Sequence, residues 1–208
     1  MAVITISRQF GAGGKTLAQN VADRLGYKIA HEEIIEKVAE KAKVSADSLR
    51  SFEAEARGLL QRATSLLTPN RFIDHVLDPR RNYMDGDLYI DLLRKIIPEI
   101  ADEGNIVILG RGSQFILMGR PDTVHVLLVA NQEDRIRFMR EQYDLTESLA
   151  RDAVRKQGRR REQLMRLFGH GDYDQPIYYD LVINLSKVSI DGAVELVCES
   201  VSPVAKAS

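Results

Sequence analysis

Residues 7–16, SRQFGAGGKT, carry side chains and backbone that can hold a phosphate. Gly14, Lys15 and Thr16 supply the end of the pattern Gly, any four, Gly-Lys-Ser/Thr, and Gln9 stands where the first glycine would be. Backbone N–H groups of Gly11, Ala12, Gly13 and Gly14 can converge on one anion, and a helix starting there adds partial positive charge. Lys15 would then bridge the outer phosphates of a nucleotide, and Thr16 would offer its hydroxyl to Mg²⁺. A glycine at position 9 would let the chain leave the preceding strand at an unusual angle. With Gln9 the exit must use ordinary φ and ψ, and the flexible part shifts to GAGG. The competing reading is a glycine-rich turn that binds nothing. Placement directly after the first strand favours phosphate.

The loop needs a strand before it and a helix after it, and the sequence offers both. Residues 2–6 (AVITI) read as a short buried strand. Leu17, Ala18, Val21, Ala22 and Leu25 recur at helical spacing, and Gly26 supplies a stop. YKIA is a second strand, and HEEIIEKVAEKAK a second helix with acids in its first turn. Residues 45 to about 85 are charged and helix-prone, interrupted by Pro69 and Pro79, which suits a helical insertion. DLYIDLLRKIIPEIADEG predicts an amphipathic helix leading into the buried strand NIVILG. TVHVLLVA is another strand, followed by a helix capped by Asn131. ESLARDAVRKQGRRREQLMRLFG is helical with one glycine break, YYDLVINL is the last strand, and SIDGAVELVCESV the last helix, with Ser189 as its cap. Strands alternating with helices imply a parallel sheet covered on both faces, with sites at the carboxyl ends of the strands.

The totals limit the alternatives. A chain of 208 residues builds one substantial core. Its 29 basic and 30 acidic residues nearly cancel, so an anion site must be local, and neither nucleic acid nor a membrane surface is an expected partner. Cys198 is the single cysteine, which fits a reducing compartment. No apolar run approaches the ~18 residues of a membrane span, and the first residues read as a strand rather than a signal segment. The expected location is the cytoplasm. His31, His75, His125 and His170 have no metal-ligand spacing; His125, inside a strand, reads as structural, and Cys198 as core.

Three further stretches join the loop: NIVILGRGSQFILMGRPDTVHVLLVANQEDR, with Gly-Arg-Gly at 110–112 and Arg135 in the helix just beyond; the arginine cluster RKQGRRREQLMR; and the ending YYDLVINLS. In order and spacing they resemble the cytidylate kinase-like branch of P-loop nucleoside monophosphate kinases. The resemblance runs from residue 3 to about 197, with almost none of it in 45–90. It implies a three-layer α/β/α P-loop fold of CORE (about 1–44, 88–145 and 176–208), a helical insertion for the monophosphate (about 45–87) and an arginine-rich LID (about 146–175). It also implies ATP and Mg²⁺ as cofactors and a nucleoside monophosphate, CMP or dCMP above all, as acceptor. Arg111 maps onto an arginine near the acceptor phosphate, which a guanidinium can hold through two parallel bonds. Arg155, Arg159 and Arg161 map onto LID groups that clamp the transferring phosphoryl, with Arg160 as a further candidate. His31 stands at a strand-to-helix corner where similar proteins often carry Asp, and would line the acceptor site. In the insertion, Asp74 or His75 could read a base edge, and Arg71, Arg80 or Arg81 could reach a phosphate. The chain departs from the family pattern at Gln9, at Leu109 and Gly112 (acids in many relatives) and at Gly158 (an aspartate in many LIDs).

A phosphate acceptor is already an anion near neutral pH, whereas a hydroxyl acceptor usually needs a positioned carboxylate. No carboxylate is well placed after the ILG strand, which favours phosphate-to-phosphate transfer. Three rivals stay open: a kinase of the same fold acting on another small acceptor, a non-catalytic nucleotide-binding module, and a nucleic-acid binder using 155–161. A near-neutral total charge and the lack of interleaved aromatics count against the last.

Overall fold

The computed structural model describes residues 1–55, 86–169 and 172–207. Five parallel strands form one sheet in the order β2-β3-β1-β4-β5: β1 (Val3–Arg8), β2 (Lys28–Ala30), β3 (Ile106–Leu109), β4 (Thr123–Val129) and β5 (Leu181–Asn184). β1 is central and outlasts the expected run at 2–6, because Ser7 and Arg8 stay in register with Leu127 and Leu128 of β4. The branched apolar residues of this strand suit a position paired on both sides. Val3, Ile106 and Ile108 feed one core, whereas Ile4, Ile6, Val107 and Leu109 feed the other. With β3 on one flank of β1 and β4 on the other, the strand order reverses there. The crevice beyond its carboxyl end is therefore the place where an open α/β sheet binds ligands.

The helices are α1 (Gly14–Leu25), α2 (Glu32–Ala42), α3 (Ala46–Glu55), α4 (Gly86–Asp102), α5 (Ser113–Ile116), α6 (Gln132–Tyr143), α7 (Glu147–Leu167) and α8 (Ile190–Ala207). α1 and α8 cover one face through Leu17, Val21, Val194 and Val197. α2, α4 and the end of α7 cover the other through Ile34, Val38, Leu93, Ile97 and Met165. Each such fully buried side chain contributes about 1.5–3 kcal/mol before entropy is counted. A smaller cluster, Ile136, Met139, Ala150 and Val154, joins α6 to α7, and Phe10 packs against it. That contact ties the phosphate loop to both helices.

Most expected elements are present, with instructive differences. α7 runs unbroken through Gly158, where a break was expected. Thr146 accepts a bond from Leu149 N–H at its start, and Ala150, Val154 and Met165 anchor both ends in packed clusters. Those contacts outweigh the roughly 1 kcal/mol that a mid-helix glycine costs. Asn131 stands at the N-cap of α6, yet its side chain makes no capping bond; instead its N–H donates to Ser186 Oγ. Ser189 does cap α8, its Oγ accepting from Gly192 N–H. Gly26 closes α1 at φ +67°, as expected. Of the insertion at 45–87, residues 46–55 form α3; Arg71, Asp74, His75, Arg80 and Arg81 lie outside the described residues. Cys198 packs beside the α1–α8 core. No described helix is long and apolar enough to cross a membrane.

His125 is structural. Its Nδ1 lies 2.7 Å from Thr5 Oγ1 in the next strand, and the His125 backbone N–H donates to Asp180 Oδ2. Burial pushes the imidazole below its ordinary range, against the opposing pulls of the Asp180 carboxylate and the Leu117 backbone. A depressed histidine is neutral when folded, so the unfolded chain takes up the proton first as pH falls through about 6.5. Stability should therefore drop between pH 7 and 5, and the drop should be smaller in His125→Gln. Melting curves of both proteins at the two pH values measure it; equal drops would place the titration elsewhere.

Candidate active site

The chain leaves β1 through Gln9, whose carbonyl accepts from Ala12 N–H (3.1 Å) as the loop turns. Gln9 N–H donates to Leu128 O (3.0 Å), and its Oε1 accepts from Ala130 N–H (3.2 Å). Its φ is not positive; Gly11 (+85°) and Gly13 (+71°) carry the turn. The flexible part thus falls within 11–14, as the sequence predicts, while Gln9 pins the loop entrance to the end of β4. A Cβ on Gly11 would lie 2.9 Å from Arg135 O, so the loop rests on the α6 backbone. Arg135 supports it from below, donating to Ala130 O (3.1 Å) and Phe10 O (3.4 Å), and its burial lowers the guanidinium pKa. α1 begins at Gly14 with no acid in its first turn, leaving the partial positive charge of its N-terminus intact. Ala12, Gly13 and Gly14 are buried, whereas Lys15 and Thr16 are exposed. Backbone N–H groups at a helix start, with a cation and a hydroxyl exposed to solvent, form an arrangement that suits an anion.

Beyond β3 the chain turns through three consecutive left-handed residues: Gly110 (+77°), Arg111 (+55°) and Gly112 (+68°). Left-handed backbone is unfavourable for arginine, and such strain gathers at ligand sites. Two contacts explain the flanking glycines. A Cβ on Gly110 would overlap Arg8 Nη1, and one on Gly112 would overlap the Phe168 ring. The turn directs Arg111, 7% exposed, onto the α2 corner, where its Nη1 donates to His31 O (2.8 Å) and lies 3.1 Å from His31 Nδ1. Arg111 and His31, 80 positions apart, are therefore neighbours.

The arginines of α7 divide between two cavities. The first, about 190 Å³, lies at the carboxyl ends of β1 and β3 and is lined by Arg8, His31, Arg111, Arg160 and Arg161 with an apolar floor of Leu109, Leu164 and Met165. The second, about 510 Å³, lies beside the loop entrance and takes Gln9, Arg135, Arg151, Arg155, Gly158, Arg159 and Arg161. Arg155 pairs with Asp152 one turn away (2.6 Å) and is largely exposed, and Arg159 is exposed. Arg161 belongs to both cavities: it holds Asp174 through two bonds (2.8 and 2.5 Å), donates to Ser7 Oγ (3.0 Å) and stacks over Tyr173. A Cβ at Gly158 would meet nothing within 4 Å, so no described side chain requires the glycine there.

Sequence reasoning missed Arg8, Ser7 and Phe10, and ranked Arg160 behind its neighbours. Arg8 carried a signal, being the charged end of an otherwise uncharged strand, VITISR. Arg160 carried none, since which arginine of α7 faces the sheet depends on how that helix is docked.

A parallel sheet covered on both faces, with a glycine-rich loop leading from its central strand into a helix, defines a P-loop fold of the kinase type. The chain belongs to the cytidylate kinase-like family, whose model matches residues 3–187. Three solved structures share the fold at low identity: an uncharacterized protein from Eubacterium ventriosum (19% identical, 97% of this chain and 98% of that one, TM-score 0.68), shikimate kinase from Bacteroides thetaiotaomicron (15%, 96% and 97%, 0.52) and a gluconokinase from Sinorhizobium meliloti (10%, 99% and 94%, 0.51). No curated protein sequence matches the chain significantly. Family and fold together support a phosphotransferase with a small-molecule acceptor, and the kinase-like family implies ATP use in general.

Proposed function

We propose that the protein transfers the γ-phosphoryl group of ATP to a nucleoside monophosphate, CMP or dCMP first among them, giving ADP and the nucleoside diphosphate. The observation that carries this reading is the first cavity. Four arginines and His31 line it, and no described residue there is a carboxylate. Such a lining suits an acceptor that is already an anion and needs no base. The acids of the second cavity are engaged: Asp152 with Arg155, Glu162 with Arg166 and Asp174 with Arg161. None is poised to take a hydroxyl proton.

The residues divide the work accordingly. The N–H groups of Gly11, Ala12, Gly13 and Gly14 hold the donor phosphates, and Lys15 balances the charge on the outer ones. Arg111 orients the acceptor phosphate beside His31. Arg160 and Arg161 would approach the transferring group from α7, where its equatorial oxygens carry charge, while Arg155 and Arg159, in the second cavity with Gln9 and Phe10, would add positive charge beside the loop entrance. Among the described residues no group of three or more His, Cys, Asp or Glu could hold a metal. Mg²⁺ keeps much of its water shell and needs few protein ligands, so the exposed Thr16 hydroxyl fits as its one protein contact. When bound, the ion would neutralise phosphate charge.

ATP consumption with Mg²⁺, measured against CMP, dCMP, UMP, AMP, GMP and hydroxyl-bearing metabolites, tests the proposal. Turnover with CMP or dCMP supports it. Turnover with a hydroxyl compound alone replaces the acceptor, and ATP binding without any product replaces the kinase by a nucleotide-binding module.

A further inference from the structure

Arg8, the last residue of β1, lies where the two halves of the site meet. Its stem passes against the start of α1: a Cβ on Gly14 would sit 2.7 Å from Arg8 Cγ and 3.1 Å from Arg8 Cβ. Its guanidinium reaches the end of β3, where Nη1 occupies the space that a Cβ on Gly110 would take. Gly14 precedes Lys15 in the donor loop, and Gly110 precedes Arg111 in the acceptor corner. The side chain therefore starts against the loop that would hold the donor and ends in the first cavity, whose lining it shares with Arg111 and Arg161. A stem clamped by loop backbone is already ordered, so little conformational freedom is lost when its head meets a ligand. The guanidinium offers paired N–H donors that match phosphate oxygens.

We propose that Arg8 is a catalytic residue that donates hydrogen bonds to the γ-phosphoryl group as it passes from loop to acceptor. It acts from the strand side, with Arg160 and Arg161 on the helix side. This rests on the phosphoryl-transfer reading above. In the step, an acceptor phosphate oxygen forms a bond to the γ-phosphorus while the bond from that phosphorus to the β–γ bridging oxygen breaks. The electron pair leaves on ADP. Arg8 keeps its protons throughout and stabilises charge only.

Titration calorimetry with Mg·ATP and Mg·ADP tests this without knowledge of the acceptor. Arg8→Met keeps an unbranched stem against Gly14 and removes the donors. It should lower ATP affinity about 10- to 100-fold, the effect of losing charge-assisted hydrogen bonds, and leave ADP affinity within about twofold. Arg8→Lys should fall between, since an ammonium cannot span two oxygens. Equal losses for ATP and ADP would make Arg8 a structural support, and unchanged affinities would remove it from the site; either overturns the proposal. If melting curves show Arg8→Met unfolded, Arg8→Lys decides by the same ATP-to-ADP comparison. Wild-type protein that binds no ATP overturns the phosphoryl-transfer reading and this one with it, whereas wild-type binding with no ATP-specific loss in the variants overturns this one alone.

Discussion

Lys15→Ala should abolish nearly all phosphoryl transfer while leaving the fold intact. Lys15 is exposed in the first turn of α1, so its truncation removes no core contact, and stability should change by less than about 0.5 kcal/mol. Chemically it is the loop's own cation. The backbone cradle supplies partial charges, but the outer phosphates gain negative charge on the departing oxygen during transfer. Removing one preorganised group aimed at such charge lowers rates about 10²- to 10³-fold, equivalent to roughly 3–4 kcal/mol of barrier. We expect a loss near the upper end of that range, because the first turn contains no second cation. Steady-state rates with the best acceptor, beside melting curves, measure both quantities. A variant retaining more than a tenth of wild-type turnover would remove Lys15 from the chemistry, whatever the acceptor.

Gly112→Asp should be severely destabilising. Two costs combine. Position 112 sits at φ +68°, a backbone region that costs a side-chain-bearing residue roughly 1–2 kcal/mol. Its Cβ would also overlap the Phe168 ring, which is buried at the end of α7, and relieving that clash costs about 1–3 kcal/mol more. The total, about 3 kcal/mol, corresponds to a fall in melting temperature of roughly 6–12 °C for a domain of this size. Arg111 shares the turn, so acceptor affinity should fall with stability. Phe168→Ala is destabilising by itself, yet the double variant should lose less than the two single losses summed, because the clash is then absent. Strict additivity, or an unchanged melting temperature in Gly112→Asp, would show that the ring can move aside at little cost.

Phe168 leaves no room for a Cβ at position 112, and that contact was not legible in the sequence. Gly112 and Phe168 are far apart in the chain, and nothing local to either one reports the other. Gln9 is a similar case. Its substitution for the first loop glycine looks like a defect in the motif, whereas the structure uses its side chain to bind Ala130, 121 positions away. The left-handed turns at Gly11 and Gly13 were legible, because a glycine-rich stretch between a strand and a helix has few other conformations.

The sequence by itself determined most of the elements and their order. Branched apolar runs made β1, β3 and β4, helical spacing of apolar residues made α1 and α4, and the alternation of strands with helices required a parallel sheet covered on both faces. It also determined the phosphate loop, since that site is built from one continuous stretch of backbone. Only the tertiary structure decided which arginines serve which cavity. Arg161 meets Ser7 across 154 positions, Arg111 meets His31 across 80, and Arg8 lies between Gly14 and Gly110. Local preferences act over the few residues of one turn or strand, whereas the placement of a long charged side chain depends on which distant backbone leaves room for it. In this protein, glycines at 14 and 110 provide that room for Arg8, and Gly112 provides it for the Phe168 ring.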